Sequence, residues 1–283
     1  MAPDADKKAE IIKTAGIVSK EERAVLEKIT GGSWKKYTRV TMAALGILPW
    51  VGSLLGAAAT LSSENDQEDT TKLLFLWIKE HEIKLKELGA TLNSIFGRFE
   101  SFGERINTRI ESEEYLGLVR KTFKKWDEAE TLEKREMLRK LITNAGGITV
   151  VQDDWVRMFL DWIEQYHELH FSIIAQIHQN PGITREAMWM NVKGSIPKDN
   201  SAEADMFKLL IDDLTRGRVI RQKREVNSQG QFYKKQRREA RQSDFMESPF
   251  DDEDPYVLTE LGTGFVQYVM NELTPQIGDG DKS

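Results

Sequence analysis

Four histidines, His81, His167, His170 and His178, are the residues of this chain best suited to acid–base or metal chemistry. Imidazole titrates near neutral pH and ligates transition metals. His167, His170 and His178 share one helical pattern, in which a rise of 1.5 Å per residue sets the first and last roughly 16 Å apart, too far for one ion. His167 and His170 alone offer two ligands, with Glu164 as a third. A place at a core edge or on the surface suits these rings better. The carboxylate pairs Asp153-Asp154 and Asp212-Asp213 fit helix starts and solvated faces. Without cysteine there is no thiolate nucleophile, zinc finger or iron–sulfur site. No HExxH helix, Gly-rich phosphate loop or nucleophile elbow occurs either. The chain therefore reads as non-enzymatic, with no catalytic residue, cofactor or metal site.

The elements that carry these residues read as helices. At 283 residues and 40% hydrophobic content, the chain can build two domains with real cores. A formal charge of -6 argues against nucleic-acid or membrane binding by the whole surface, so any such surface must be local. The absence of cysteine fits a reducing compartment. The start, MAPDADKKAEIIK, has no apolar signal core, so a cytoplasmic location, with membrane association as an added feature, is the expectation.

Two short helices are expected in the first forty residues, the second opened by Ser19 with Glu22 at capping-box spacing. Apolar side chains then recur at Leu74, Ile78, Leu85, Leu88, Leu92, Ile95, Phe99, Phe102 and Ile106, with His81 in the missing place. This 3.5-residue period predicts one long coiled-coil-like helix over about 67–112, a seam for self-association, which Gly89, Gly97 and Gly103 could bend or interrupt. Further helices are predicted at 113–126, 130–144 and 152–179, and Trp77, Trp126, Trp155 and Trp162 fall in them as packing anchors. Residues 1–165 thus read as an elongated α-helical bundle. His81 inside the seam reads equally as a register device, a pH sensor or a tolerated polar residue.

Within this charged chain, residues 40–63 form twenty-four consecutive uncharged positions, including VTMAALGILPWVGSLLGAAATLS. Trp34, Lys35, Lys36, Tyr37 and Arg39 precede them as an aromatic and cationic shoulder, the composition of a membrane-interface anchor and also of an ordinary helix start. The length suffices for a span. Pro49 near the middle and Gly46, Gly52 and Gly56 favour instead a hairpin folded at Leu48-Pro49-Trp50. Leu45, Ile47, Leu48, Pro49, Trp50, Val51, Leu54 and Leu55 would be its membrane-contacting residues. The other reading is a buried pair of short helices in an all-α core. A greasy hairpin beside long amphipathic helices resembles the α-helical pore-forming toxins in layout, with no toxin-specific motif.

The last third changes character. A helix, the Pro181-Gly182 turn, a short helix opened by Thr184, a longer one ending at Gly217, a strand from Val219 to Arg224 and a final strand-helix pair at PYVLTELGTGF follow one another. This order, with Tyr256-Val257-Leu258-Thr259 running into Leu261-Gly262, resembles the winged helix-turn-helix superfamily over about residues 167–273. The resemblance implies a mainly α domain, 166–273, with a small β-wing, here carrying a long insertion at 227–254; residues 274–283 are expected to be a disordered tail. The candidate recognition helix is acidic, with Glu203, Asp205, Asp212 and Asp213 around Lys208, which opposes major-groove reading. The wing is opposite in sign: Arg216, Arg218, Arg221, Lys223, Arg224, Lys234, Lys235, Arg237, Arg238 and Arg241 give residues 216–241 a balance of +8, and residues 242–254 carry -6. That basic stretch suits nucleic acid or an acidic partner; pairing of the two halves with one another is the plainer alternative.

Two functions fit. One is a bacterial toxin or defence effector whose apolar hairpin engages lipid in at least one state and whose winged helix takes a protein partner. The other is a dimeric DNA-binding transcription regulator.

Overall fold

The computed structural model describes residues 26, 27, 29–53, 79, 81–147, 152–223, 229 and 255–271. Among these the chain is mainly helical, and the sheet is one antiparallel pair of short strands. The chain divides into two units, residues 1–160 with 273–283, and residues 161–272. The border falls inside a helix, five residues before the one expected from sequence, because an unbroken helix offers no composition signal at a domain edge.

In the first unit, α1 (Thr38–Leu45), α2 (Glu82–Phe102), α3 (Asn107–Ile110), α4 (Glu113–Glu128), α5 (Leu132–Gly147) and the first part of α6 (Asp153–Gln165) follow in order. α4 shows why such segments are helical. Ser112 caps it by accepting a hydrogen bond from the Tyr115 N–H at 3.3 Å, and Glu113 and Glu114 complement the positive end of the helix dipole. Tyr115, Leu116, Leu118, Val119, Phe123 and Trp126 recur on one face and are buried. α1 packs on α4, α4 on α5, and α5 on α2. Tyr37 stacks on Phe96 at 4.8 Å and meets Phe99 edge-on at 5.6 Å; Phe99 meets Tyr115 edge-on at 6.3 Å. The Tyr115 hydroxyl donates to the Ile142 carbonyl at 2.8 Å, and burial pushes its pKa far up. α5 can approach because Gly146 and Gly147 face these rings: a Cβ on Gly147 would lie 2.3 Å from Phe102.

The long helix expected over 67–112 is shorter. α2 ends at Phe102 because Gly103 takes φ 75°, ψ -170°, a conformation that only glycine enters freely, and a 3-10 turn, Glu104–Ile106, leads into α3. Gly97 leaves the helix intact, and Gly89 lets the Ile29 carbonyl come within 2.1 Å of where a Cβ would be. Leu88, Leu92, Ile95 and Phe99 are buried, with Phe96 beside them, and α5 covers this seam within the chain. His81 is not in mid-seam: it precedes the first residue of α2 and stacks on Trp50 at 5.9 Å. Leu74, Trp77 and Ile78, and the Ser19 capping box, lie outside the described residues.

The second unit holds the end of α6, then α7 (Glu168–Gln179), α8 (Arg185–Lys193), α9 (Ala202–Arg216), β1 (Ile220–Gln222), β2 (Tyr256–Leu258) and α10 (Glu260–Phe265), which continues as a π-helical turn, Val266–Met270. The single helix expected over 152–179 is two, because His167 is extended and its N–H bonds to Nδ1 of His170 at 3.1 Å. Thr184, Ser201 and Thr259 cap α8, α9 and α10, accepting from Ala187, Ala204 and Gly262 N–H groups at 3.3, 3.3 and 3.0 Å. β1 and β2 pair as Ile220–Leu258, Arg221–Val257 and Gln222–Tyr256, and Tyr256 also forms an isolated antiparallel bridge with Ile183. Phe171, Trp189, Phe207, Leu214, Phe265 and Tyr268 fill the core. The expected insertion, 227–254, apart from Gln229, and the expected tail, 274–283, lie outside the described residues.

Candidate functional site

Residues 40–53 of the uncharged run are described; 54–63, with Leu54 and Leu55, are not. α1 stops at Leu45, Gly46 and Ile47 form a turn, and helix resumes at 49–53, where Pro49 suits a first helical turn because its missing N–H has no partner to lose. The run thus breaks at Gly46–Leu48, immediately before its proline. Leu45, Leu48 and Val51 point inward and are at most 1% exposed. The outward side is Gly46, Ile47, Pro49, Gly52 and Ser53, with Trp50 half-buried, and it carries no charge.

The shoulder splits by residue type. Trp34 and Tyr37, expected as interface anchors, are core residues in this conformation: three apart, they share the inward face, Tyr37 on Phe96 and Trp34 with its indole N–H unpartnered. Lys35, Lys36 and Arg39 are exposed and paired with Glu27 (3.3 Å), Glu100 (3.1 Å) and Glu113 (2.5 Å). The Glu100 hydrogen bond, helped by Tyr37, holds the Lys36 ammonium above its ordinary pKa. At the other end, the Trp50 indole N–H and Lys84 Nζ both donate to Asp127 Oδ1, at 2.9 and 2.6 Å, and Lys84 lies 5.5 Å over the Trp50 ring. The described part of the apolar segment is therefore flanked by polar contacts, at Lys35–Arg39 before it and at Trp50 within it. Glu100, Glu113 and Asp127 were invisible to sequence reasoning, being 43 to 77 residues from their partners.

In the second unit, α9 exposes Glu203, Asp205, Lys208 and Leu209, the leucine by 56%, with Asp212 half-buried. Arg216, Arg218, Arg221 and Lys223 are exposed beyond it and along β1. Arg218 has φ 58°, and its carbonyl accepts from the Thr259 hydroxyl. Arg224, Lys234, Lys235, Arg237, Arg238 and Arg241 lie outside the described residues. Arg185 donates to the Tyr256 hydroxyl at 2.9 Å, with its guanidinium 5.5 Å over that ring.

His170 is a core histidine. It is 3% exposed and stacks on Tyr166 at 4.9 Å, and its Nε2 lies 3.7 Å from Asp213 Oδ2, an ion-pair distance beyond hydrogen-bond range. Burial lowers its pKa against the opposing pull of Asp213, and burial and Asp213 together push Tyr166 up to about 12. Because Nδ1 accepts from a backbone N–H, the neutral ring carries its proton on Nε2. Among the described residues no group of three His, Asp or Glu side chains could hold a metal ion, and no helix is long and apolar enough to cross a membrane. No family model, curated protein or solved structure matches this chain.

Proposed function

We propose that this is a non-enzymatic protein that acts at a membrane surface through residues 40–62, in the manner of a toxin or defence effector, and that its second unit is a winged helix-turn-helix module used to take a protein partner. The observation that carries the membrane reading is the uncharged turn. Gly46, Ile47, Pro49, Gly52 and Ser53 are exposed together, with Lys35, Lys36 and Arg39 exposed on the preceding segment. Apolar groups that enter an interface beside cations that stay with anionic headgroups make a peripheral contact without a span. The buried Leu45, Leu48 and Val51 form a reserve that a deeper, released state would add.

The helix order α7, α8, α9, the strand pair and the bridge from Ile183 to Tyr256 support the winged-helix reading. The acidic and apolar surface of α9 favours a basic protein partner over DNA, because its carboxylates would face phosphates.

The test is flotation and dye release with anionic vesicles, comparing the wild type with Ile47→Asp. Ile47 is on the exposed turn, so the variant leaves the core intact. Flotation lost in the variant supports the reading; a wild type that neither floats nor releases dye sinks it.

A second reading has its own observation. Arg216, Arg218, Arg221 and Lys223 present cations at and beside β1, which fits a DNA-binding regulator. It predicts salt-dependent duplex binding in an anisotropy titration, with a log–log salt slope that falls by about 0.9 for each phosphate contact removed by Arg221→Glu or Lys223→Glu.

A further inference from the structure

A groove of about 450 Å³ opens in the first unit where the 35–43 segment meets α3 and α4. That volume lies within the range of roughly 300–1,000 Å³ typical of small-ligand sites. One side is apolar, made by Tyr37, Val40, Met42, Ala43, Ile110 and Leu116. The rim is cationic: Lys35, Lys36, Arg39 and Arg120 stand against Glu111 and Glu113.

The arginines share one anion. Arg39 Nη2 lies 2.5 Å from Glu113 Oε1, and Arg120 Nη2 lies 3.6 Å from Glu113 Oε2. All three side chains are about half exposed or more, and the glutamate is 67% exposed. Such an exposed pair contributes only about 0–1 kcal/mol, so Glu113 can swing into water at little cost. A guanidinium pair is well matched to a carboxylate or phosphate, and Glu113 shows that a carboxylate fits between them.

We propose that this groove binds a monomeric single-chain anionic amphiphile, its acid head between Arg39 and Arg120 in place of the Glu113 carboxylate and its chain along Tyr37, Val40 and Met42. Charge complementarity selects the head, and the apolar wall selects the tail. This site goes beyond the membrane reading: it shares Arg39 with that contact, but its ligand is a dissolved molecule and Ile47 is not part of it.

The test is calorimetric titration of the full chain with sodium dodecanoate below its micellar concentration. Inorganic phosphate, dodecyltrimethylammonium and phosphatidylglycerol vesicles form separate arms. Dodecanoate should bind at one site and lose about tenfold or more in affinity when Arg39→Gln and Arg120→Gln are combined, since a charge-assisted pair is removed. Glu113→Gln should tighten it roughly two- to fivefold by releasing the arginines, a gain that unfolding cannot mimic. Ile47→Asp should leave it unchanged, which separates this site from the vesicle contact. Equal binding of the cationic amphiphile, phosphate binding as tightly as dodecanoate, or no effect of either the arginine or the Glu113 substitution would overturn the proposal. So would arginine-dependent vesicle binding without dodecanoate binding, which would assign the rim to lipid headgroups instead.

Discussion

Leu48→Ala tests whether the uncharged run is structural in the resting protein. Leu48 is 1% exposed and belongs to the same inward set as Leu45 and Val51. Truncating a fully buried leucine costs about 2–5 kcal/mol, the transfer of three carbons plus the cavity left behind. For a unit of this size, each kcal/mol moves the midpoint by roughly 2–4 °C, so scanning calorimetry should show a loss of roughly 4–20 °C. The control is Ile47→Ala, one residue away but 36% exposed, which should change stability by about 0.5 kcal/mol or less. Equal small shifts in both variants would refute the inward packing of Leu48. The same substitution bears on lipid. The three carbons are worth about 2.4 kcal/mol whether they enter a protein core or hydrocarbon. Only the cavity share, up to about 2.6 kcal/mol, distinguishes the two, so Leu48→Ala should raise vesicle affinity by up to about eightyfold if a released state inserts Leu48, and leave it unchanged if the contact keeps Leu48 in the core.

Other substitutions probe the neighbouring contacts. Asp127→Ala removes the acceptor shared by the Trp50 indole N–H and the Lys84 ammonium and should cost about 1 kcal/mol in a urea titration followed by tryptophan fluorescence; an unchanged midpoint would show that the latch carries nothing. Gly147→Ala gains up to about 1 kcal/mol in helix propensity, yet puts a methyl 2.3 Å from Phe102 at an overpacking cost of about 1–3 kcal/mol, so a net loss of up to about 2 kcal/mol is expected, and a stabilised variant would contradict the packing. For pH, the sign follows from His170. Its folded pKa is lowered by burial, with Asp213, Tyr166 and His167 around it, so as pH falls through about 6.5 the unfolded chain takes the proton first. Stability of the second unit should therefore decline below about pH 6.5, and His170→Gln should flatten that decline in urea midpoints measured from pH 7.5 to 5.5. Identical slopes in the two proteins would rule out His170 as the cause.

Local chemistry was legible in the sequence and distant pairing was not. The Thr184 start, the stop at Gly217 and the strand Tyr256-Val257-Leu258 running into Thr259 all lie in a few adjacent residues, and the corresponding elements lie within two residues of expectation. The seam at Leu88, Leu92, Ile95 and Phe99 was equally clear, because its period is local. Its length was not: three glycines interrupt the pattern, and only backbone geometry singles out Gly103 as the one that stops the helix. The bend at Tyr166-His167 was missed because a His167 N–H bonded to a side chain three residues on leaves no composition signal. The shoulder residues show the same limit. A Trp-Lys-Lys-Tyr-x-Arg string has one composition whether its rings face lipid or Phe96, and the choice rests on helices sixty residues later.

The three hydroxyl caps of the second unit make its stability adjustable in steps. Thr184, Ser201 and Thr259 each begin a different helix through their own acceptor oxygen. Replacing any one by alanine costs about 1 kcal/mol, and for well-separated sites the losses add. Thr184→Ala and Ser201→Ala touch neither the aromatic core nor the charges of α9 and β1. Combined with Thr259→Ala, they give a graded series in which the same surface is displayed on a progressively weaker scaffold. Whatever the second unit binds, an affinity that follows the series reports dependence on folding, and one that ignores it reports the surface alone.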